Sequence, residues 1–361
     1  MKLTGYLASL QKTLPFFGKG EAYLSLDLGS HSIKLLEVHG LDRPRLLKGG
    51  LARLGDSQRG SSVMQNPEAV LEGIRDLKAR LSPTATRVLT SVPGPSAIIK
   101  KLTLPKTSDL DQAIEREASR LIPESLDRVQ WDYEVLQSVP GEKTEGIEVL
   151  LAAVKREVIE RTIEVLAEVG WEPVIMDVDY FALENLFEAL HPNRQGVVAL
   201  LSVGDRATLI DIIKDGRSAF RGDLSVGGRE FTEAIMEEGR VSFEEAETVK
   251  NQAWERGLIP SELTSGLENA VENLIQEVKR SLSLYWTFAM EEQVTSIYLC
   301  GGGSMIPGLS SQMVRGLGVP VEVLDPLKAM RVDERFRTDL QPLSPLLAIG
   351  AGLSLRRPDE E

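Results

Sequence analysis

The stretch Tyr23-Leu24-Ser25-Leu26-Asp27-Leu28-Gly29-Ser30-His31-Ser32-Ile33-Lys34-Leu35-Leu36-Glu37-Val38 decides the fold. Apolar and polar residues alternate up to Leu28, which reads as a β-strand; Gly29-Ser30 forms a tight turn, and residues 33–38 return as a second strand. The result is a β-hairpin with an acid at its bend. A matching hairpin lies 175 residues downstream. Aligning Asp27-Leu28-Gly29 with Ser202-Val203-Gly204 brings an apolar strand at 196–203 and a returning strand at 208–213 into register, closing at Gly216 as the first closes at Gly40. Two related α/β halves are expected to face each other with both bends at one cleft. There Gly29 and Gly204 let backbone N–H groups approach an anion with no Cβ in the way.

Around the first bend, Ser30, His31 and Ser32 offer hydroxyl, imidazole and backbone donors, Lys34 a cation, and Asp27 an anion able to hold Mg²⁺ through water. This set suits a nucleoside triphosphate, whose tail needs several short donors and a hard cation. An isolated Asp-x-Gly-Ser is equally an ordinary hairpin turn, so the recurrence and the loop Gly301-Gly302-Gly303-Ser304 carry the weight. That loop joins a strand at 296–300 to a helix starting near Pro307, which favours phosphate or close packing on a flat base; it reads also as a flexible connection. Neither P-loop nor dinucleotide-fold glycine spacing occurs. Cys300 reads as a small core residue, and Asp177 with Asp179 as a strand-end cap or a pair acting on water. No Ser/His/Asp or Cys/His nucleophile set is present.

Between these landmarks the elements alternate. A helix at 67–81 has Pro67 near its first position, and strands follow at 87–91 and 97–104. Ser108 is expected to cap a helix at 109–122 that Pro123 breaks; strands at 129–137 and 147–154 flank a turn at 141–146, and a helix covers 157–169. Residues 97–170 therefore read as a small α+β subdomain inserted into the first half. Strand 174–178 and helix 180–190 lead to a hinge at 191–194. In the second half, 229–256 is rich in acids at helical spacing, an ordinary solvated face, followed by a long helix at 265–290 and a strand at 319–324. The expected division is a tail at 1–20, a first domain at 21–193, a second at 194–344 with an acidic helical subdomain at 228–290, and a segment at 345–361 returning to the first.

Composition sets the outer limits. With 361 residues and 42% hydrophobic, the chain can bury two cores. Its 54 acids against 41 bases give a net charge of −13, which excludes general affinity for nucleic acid or anionic lipid. One cysteine and three histidines exclude an internal disulfide and a Cys/His zinc cage, and fit a reducing cytoplasm. No run of 18 apolar residues spans a bilayer. Leu3, Leu7, Leu10 and Leu14, with Lys2, Lys12 and Lys19, describe a short basic amphipathic helix ending near Pro15. Such a tail docks on its own or a neighbouring subunit, on a membrane surface or on a partner.

Asp27-Leu-Gly-Ser-His-Ser-Ile-Lys34, Ser202-Val-Gly204, Ser225-Val-Gly-Gly228 and Leu299-Cys-Gly-Gly-Gly-Ser304 with Pro307-Gly-Leu309 stand in the order seen in the actin/heat-shock-chaperone/sugar-kinase ATPases. The sequence most resembles the PilM family, actin-like cytoplasmic proteins of type IV pilus assembly. Glu117-Ala-Ser-Arg-Leu-Ile-Pro123, Trp131-Asp-Tyr-Glu-Val-Leu136, Ala153-Val-Lys-Arg-Glu157, Val174-Ile-Met-Asp-Val-Asp179 and Phe243-Glu-Glu-Ala-Glu-Thr-Val-Lys250 extend the resemblance over residues 22–355. It implies a two-domain actin-like (ribonuclease-H-like, duplicated) α/β fold with an inserted subdomain of the FtsA type.

By position, the resemblance makes Asp27, Gly29, Ser30, His31, Ser32 and Lys34 the first phosphate loop, with Asp27 on the Mg²⁺ side. Ser202, Gly204 and Asp205 form the second, Gly227 and Gly228 line the cleft, Glu247 and Lys250 reach ribose or adenine, and Gly301, Gly302, Gly303 and Ser304 form the adenosine loop. Asp179 stands three residues before Ala182, as the water-positioning Glu of MreB stands before its Ala. The second-loop acid of the superfamily is Ser202 here, so the resemblance implies ATP and Mg²⁺ binding with weak or absent hydrolysis. It also implies a partner, the N-terminal cytoplasmic tail of the bitopic protein PilN, held beside the inserted subdomain. That contact would link an inner-membrane complex to cytoplasmic motors, with membrane attachment only through the partner. Alternatives are a polymerising cytomotive protein of the FtsA/MreB kind, a form of homo-oligomer, and a small-molecule kinase of the same superfamily.

Overall fold

Ala22–Leu28 (β1) and Ser32–His39 (β2) pair antiparallel with Asp27 opposite Lys34. In this computed structural model, which describes residues 21–40, 43–54, 63–106, 109–139, 146–256, 264–288 and 292–356, β1 is buried on both faces. Its alternation feeds two cores: Leu24 and Leu26 point into one, Tyr23 into the other. Arg45–Arg53 (β3) extends the sheet beyond β2, and Pro67–Leu81 (α1) covers one face through Val70, Ile74 and Leu77. Asn66 caps α1 by accepting from the Ala69 N–H at 3.1 Å, with Pro67 at the first helical position. Arg87–Val92 (β4) then runs parallel to β1.

An inserted unit follows. Ala97–Pro105 (β5), Leu110–Leu121 (α2), Val129–Val139 (β6) and Gly146–Lys155 (β7) form a three-stranded antiparallel sheet, order β5-β7-β6, with α2 packed on it. Ala118, Ile122, Val129, Leu151 and Ala153 make a core separate from the main one. The N-cap of α2 is Asp109, which accepts from Gln112 N–H, in place of the expected Ser108. Arg156–Glu168 (α3) does not belong to this unit, since Val165 and Leu166 pack with α1 and β1. The separately packed piece therefore ends at Lys155, short of the expected 170. Glu172–Val178 (β8) and Asp179–Leu190 (α4) complete the first half.

The second half repeats the plan: Val197–Val203 (β9), Thr208–Lys214 (β10), Arg217–Leu224 (β11), then Gly228–Gly239 (α5), Phe243–Arg256 (α6), Thr264–Phe288 (α7), Ser296–Cys300 (β12), Leu309–Leu317 (α8) and Val321–Val323 (β13). The two sheets share one order. The first reads β14-β3-β2-β1-β4-β8 and the second β11-β10-β9-β12-β13, with β14 (Arg331–Val332) as the added edge. The hairpin registers also coincide, because Asp27 faces Lys34 as Ser202 faces Leu209, both members shifted by 175. In β9, Val197, Ala199, Leu201 and Val203 face one core, while Val198 and Leu200 join the core of the first half.

After β14, Glu334–Leu340 (α9) and Ala348–Ser354 (α10) return to the first half. Helix α10 lies against α4 so tightly that a Cβ on Gly352 would stand 1.8 Å from the Ala182 carbonyl oxygen; only glycine fits there. Ser25 Oγ fastens β1 to the same helix by donating to Gly350 O at 2.5 Å. One apolar core, with Leu89, Leu183, Leu200, Tyr298 and Ala351 among its members, runs continuously through both halves. No helix among the described residues is long and apolar enough to cross a membrane. The expected N-terminal amphipathic helix and the turn at 141–145 lie outside the described residues.

Candidate functional site

Because β1 and β9 end at the same side, their bends meet across a cleft of about 720 Å³. That volume suits a nucleotide-sized ligand. On the first bend, Asp27 Oδ2 sits 3.1 Å from Lys34 Nζ, an ion pair dictated by the antiparallel register. Gly29, Ser30, His31 and Ser32 follow along the same wall.

Across from it, Gly204 N–H donates to Ala207 O at 3.0 Å and closes the second bend. The start of α5 holds that bend from behind: Gly228 N–H donates to Gly204 O at 2.7 Å and Arg229 N–H to Asp205 O at 2.8 Å. Gly301, Gly302 and Gly303 form the third wall. Gly301 has φ +80°, and a Cβ there would meet Val203 O at 2.5 Å, so the loop passes directly over the end of β9 only because this residue is glycine.

Asp179, the first residue of α4, enters the cleft beside Asp27. Its Oδ1 accepts from Ser91 Oγ at 2.6 Å and its Oδ2 from Gly94 N–H at 3.4 Å. Burial, then the charge of Asp27, pushes its carboxyl up to about 7. Asp177 does not line the cleft: buried in β8, it pairs with Arg356 at 3.1 Å. Asp179 starts α4 rather than continuing the strand, so the two aspartates face different tasks.

The halves are tied across the cleft by His31. Its Nδ1 lies 3.7 Å from Asp205 Oδ1 and its Nε2 3.8 Å from Glu247 Oε2. Nearer the mouth, Arg53 Nη2 on β3 donates to Asn251 Oδ1 on α6 at 3.3 Å. Burial raises Asp205, with Lys250 opposing. Burial also works to raise Glu247, yet Lys250 and the hydroxyl of Thr232 hold its carboxyl below the usual range. Lys250 Nζ bonds Glu247 Oε1, and donates to Thr232 Oγ1 at 2.6 Å and Gly228 O at 3.3 Å.

Most of the residues expected from the sequence line the cleft, but three do not. Gly227 packs behind the second bend, where a Cβ would stand 2.4 Å from Asp205 O. Glu247 is buried, its Oε1 held by Lys250 and Thr232 and its Oε2 facing His31, so of the expected Glu247-Lys250 pair only Lys250 lines the cleft itself. Ser304 turns its hydroxyl back on its own loop, donating to Gly301 O at 2.7 Å. Sequence reading missed Ser91, Arg53, Asn251 and Thr232. Thr232 alone had a signal, one helical turn after Gly228 and on the face that Gly228 presents.

At the first bend Asp27 and Asp179 supply two carboxylates of the kind a hard divalent cation takes, Asp179 being lifted by burial first and by Asp27 second. Among the described residues no group of three or more His, Cys, Asp or Glu gathers as a ready-made metal site. Ser202 supplies no carboxylate: it is buried at the end of β9 beside Cys300, whose thiol burial pushes up to about 12.

A second depression, about 1170 Å³, lies where the inserted sheet, α4, β11 and the C-terminal segment converge. Leu136 and Leu150 come from the inserted sheet, Phe181 and Glu188 from α4. At its base, Arg221 of β11 donates twice to Glu184 Oε1 of α4, at 2.8 and 2.6 Å, joining the two halves. Helix α4 thus begins in the cleft at Asp179 and borders this groove with its later turns.

Duplicated sheets of one order, facing bends and a glycine-roofed cleft define an actin-like two-domain protein. A sequence model described as type IV pilus assembly protein PilM matches residues 25–358, so the chain belongs to that family. Among solved structures, the PilM–PilN type IV pilus biogenesis complex aligns with TM-score 0.80 and 28% identity, covering 94% of this chain and 98% of that one. The ethanolamine utilization protein EutJ from Carboxydothermus hydrogenoformans aligns at TM-score 0.55 and 19% identity over 98% of this chain and 97% of its own. MreB5 of Spiroplasma citri bound to ADP aligns at 0.50 and 13%, over 93% and 95%. The last two share the fold.

Proposed function

We propose that the cleft binds ATP with Mg²⁺ and that the groove beside the inserted sheet binds the N-terminal cytoplasmic tail of a PilN-like inner-membrane protein. The observation that carries this reading is the sharing of α4 between the two sites. Its first residue, Asp179, faces Asp27 in the cleft, and its next turns present Glu184 and Glu188 to the groove. The structure solved with PilN and the ADP held by MreB5 support the two ligands for relatives of this fold.

In the cleft, Asp27 would hold Mg²⁺ through water, and the metal when bound would neutralise phosphate charge. Backbone N–H groups of Gly29–Ser32 and of the second bend meet the phosphates, while Gly301–Gly303 pack on the nucleoside. Asp179 alone faces the position of an attacking water, and Ser202 adds no second carboxylate, so the site binds ATP and turns it over slowly or not at all. The protein then acts as a nucleotide-bound scaffold, cytoplasmic and held at the inner membrane by its partner, joining the membrane complex to cytoplasmic motors.

Calorimetric titration tests both halves. Mg²⁺·ATP should bind the full chain with 1:1 stoichiometry, and a PilN-type N-terminal peptide should bind with an affinity that changes when ATP is present. No heat with ATP removes the nucleotide half, and no heat with the peptide removes the scaffold half.

A further inference from the structure

The cations of the cleft differ in what already holds them. Four cations line it: Lys34, Arg53, Arg206 and Lys250. Lys34 is held by Asp27 at 3.1 Å, Arg53 by Asn251 at 3.3 Å, and Lys250 by Glu247 and Thr232. Arg206 makes no hydrogen bond or ion pair among the described residues, and it is exposed. Its anchor is nevertheless fixed. The flanking carbonyls of Gly204 and Asp205 are bonded to the first N–H groups of α5, and Gly204 N–H closes on Ala207 O. The backbone is thus pinned on both sides of Arg206, whose exposed guanidinium, among the described residues, acts on Asp205 through charge and holds no hydrogen bond.

We infer that Arg206 is the phosphate-recognising cation of the second bend, selecting ligands that carry terminal phosphates over nucleoside monophosphates. The inference rests on the nucleotide reading of the cleft. A guanidinium offers a planar fork that matches phosphate oxygens in pairs, keeps its charge at every physiological pH, and needs no metal to engage. It also supplies the second bend with a contact that Ser202, neutral and buried against Cys300, does not. The first bend would address the polyphosphate through N–H groups and a metal, the second through an arginine.

The test is a titration of ATP, ADP and AMP, each with Mg²⁺, into the full chain and into R206Q and R206K. R206Q should weaken ATP about tenfold or more, the usual scale for losing a charged hydrogen bond, and leave AMP unchanged. R206K should recover part of the loss, and both variants should unfold at the wild-type temperature because the side chain is exposed. Equal losses for ATP and AMP, or unchanged ATP binding by R206Q, overturn the assignment while leaving the nucleotide site standing. A wild-type chain that binds none of the three overturns the nucleotide reading itself.

Discussion

The first and second bends are one backbone used twice. Asp27 and Ser202 occupy the same place in the same register, opposite Lys34 and Leu209. Yet the first carries a partly buried ion pair, and the second a hydroxyl beside Cys300. Pairing geometry comes from the alternation of apolar residues that two packed cores demand, and it tolerates this exchange. Chemistry comes from the one side chain at the strand end. Duplication therefore built the cleft, and divergence of single residues made its two walls unequal.

Making the walls alike should do the most damage. S202D would place a carboxylate at the buried end of β9, where no cation among the described residues pairs with it, and an unpaired buried charge costs about 3–5 kcal/mol. A fall of roughly 10 °C in the thermal midpoint is expected at pH 8. A midpoint within a degree or two of wild type would show that the second wall can still take an acid.

The reciprocal change acts on ligand more than on fold. D27N should weaken Mg²⁺·ATP by about 100-fold, whereas S202A should stay within about threefold; the contrast reads directly in two titrations. Comparable effects from both would mean that the walls are chemically equivalent after all.

A smaller, pH-dependent effect is expected at Asp179. Its carboxyl is raised to about 7 in the folded protein, by burial first and Asp27 second, against about 4 in an unfolded chain. The folded state therefore binds this proton more tightly, and stability is lost as pH rises from about 4 through 7. D179N should match wild type near pH 4 and unfold a few degrees higher at pH 8, seen as a flatter midpoint-against-pH curve. A variant less stable than wild type at pH 8 would place the favourable charge at Asp179 rather than the unfavourable one.

Both hairpins, the inserted strands and the glycine loop were legible because alternation and Gly placement act locally. Strands β3 and β11 were not. The middle of β3 is Lys48-Gly49-Gly50, and β11 carries Arg217, Arg221, Gly222 and Asp223, so neither shows an apolar rhythm. Each is held instead by its neighbour's ladder, a tertiary effect. The same holds for the site. Asp27 and Lys34 could be paired from hairpin register, but Ser91 meets Asp179 only through the parallel pairing of β4 with β8, and Arg53 meets Asn251 only when the halves close. Resemblance puts Glu247 near the ligand; in the fold its Oε1 is engaged by Lys250, three residues on in the same helix, and by Thr232 of the neighbouring helix, while its Oε2 lies 3.8 Å from His31, and the contact with Thr232 could not be read from spacing.

The central claim, that the unequal cleft is a nucleotide site governed by its first wall, is tested most directly by titrating Mg²⁺·ATP into the wild-type chain and D27N side by side. Saturable 1:1 binding by the wild type, with a loss of about 100-fold in D27N, is the expected result. Absence of binding to the folded wild type, or equal affinity in both proteins, would contradict it.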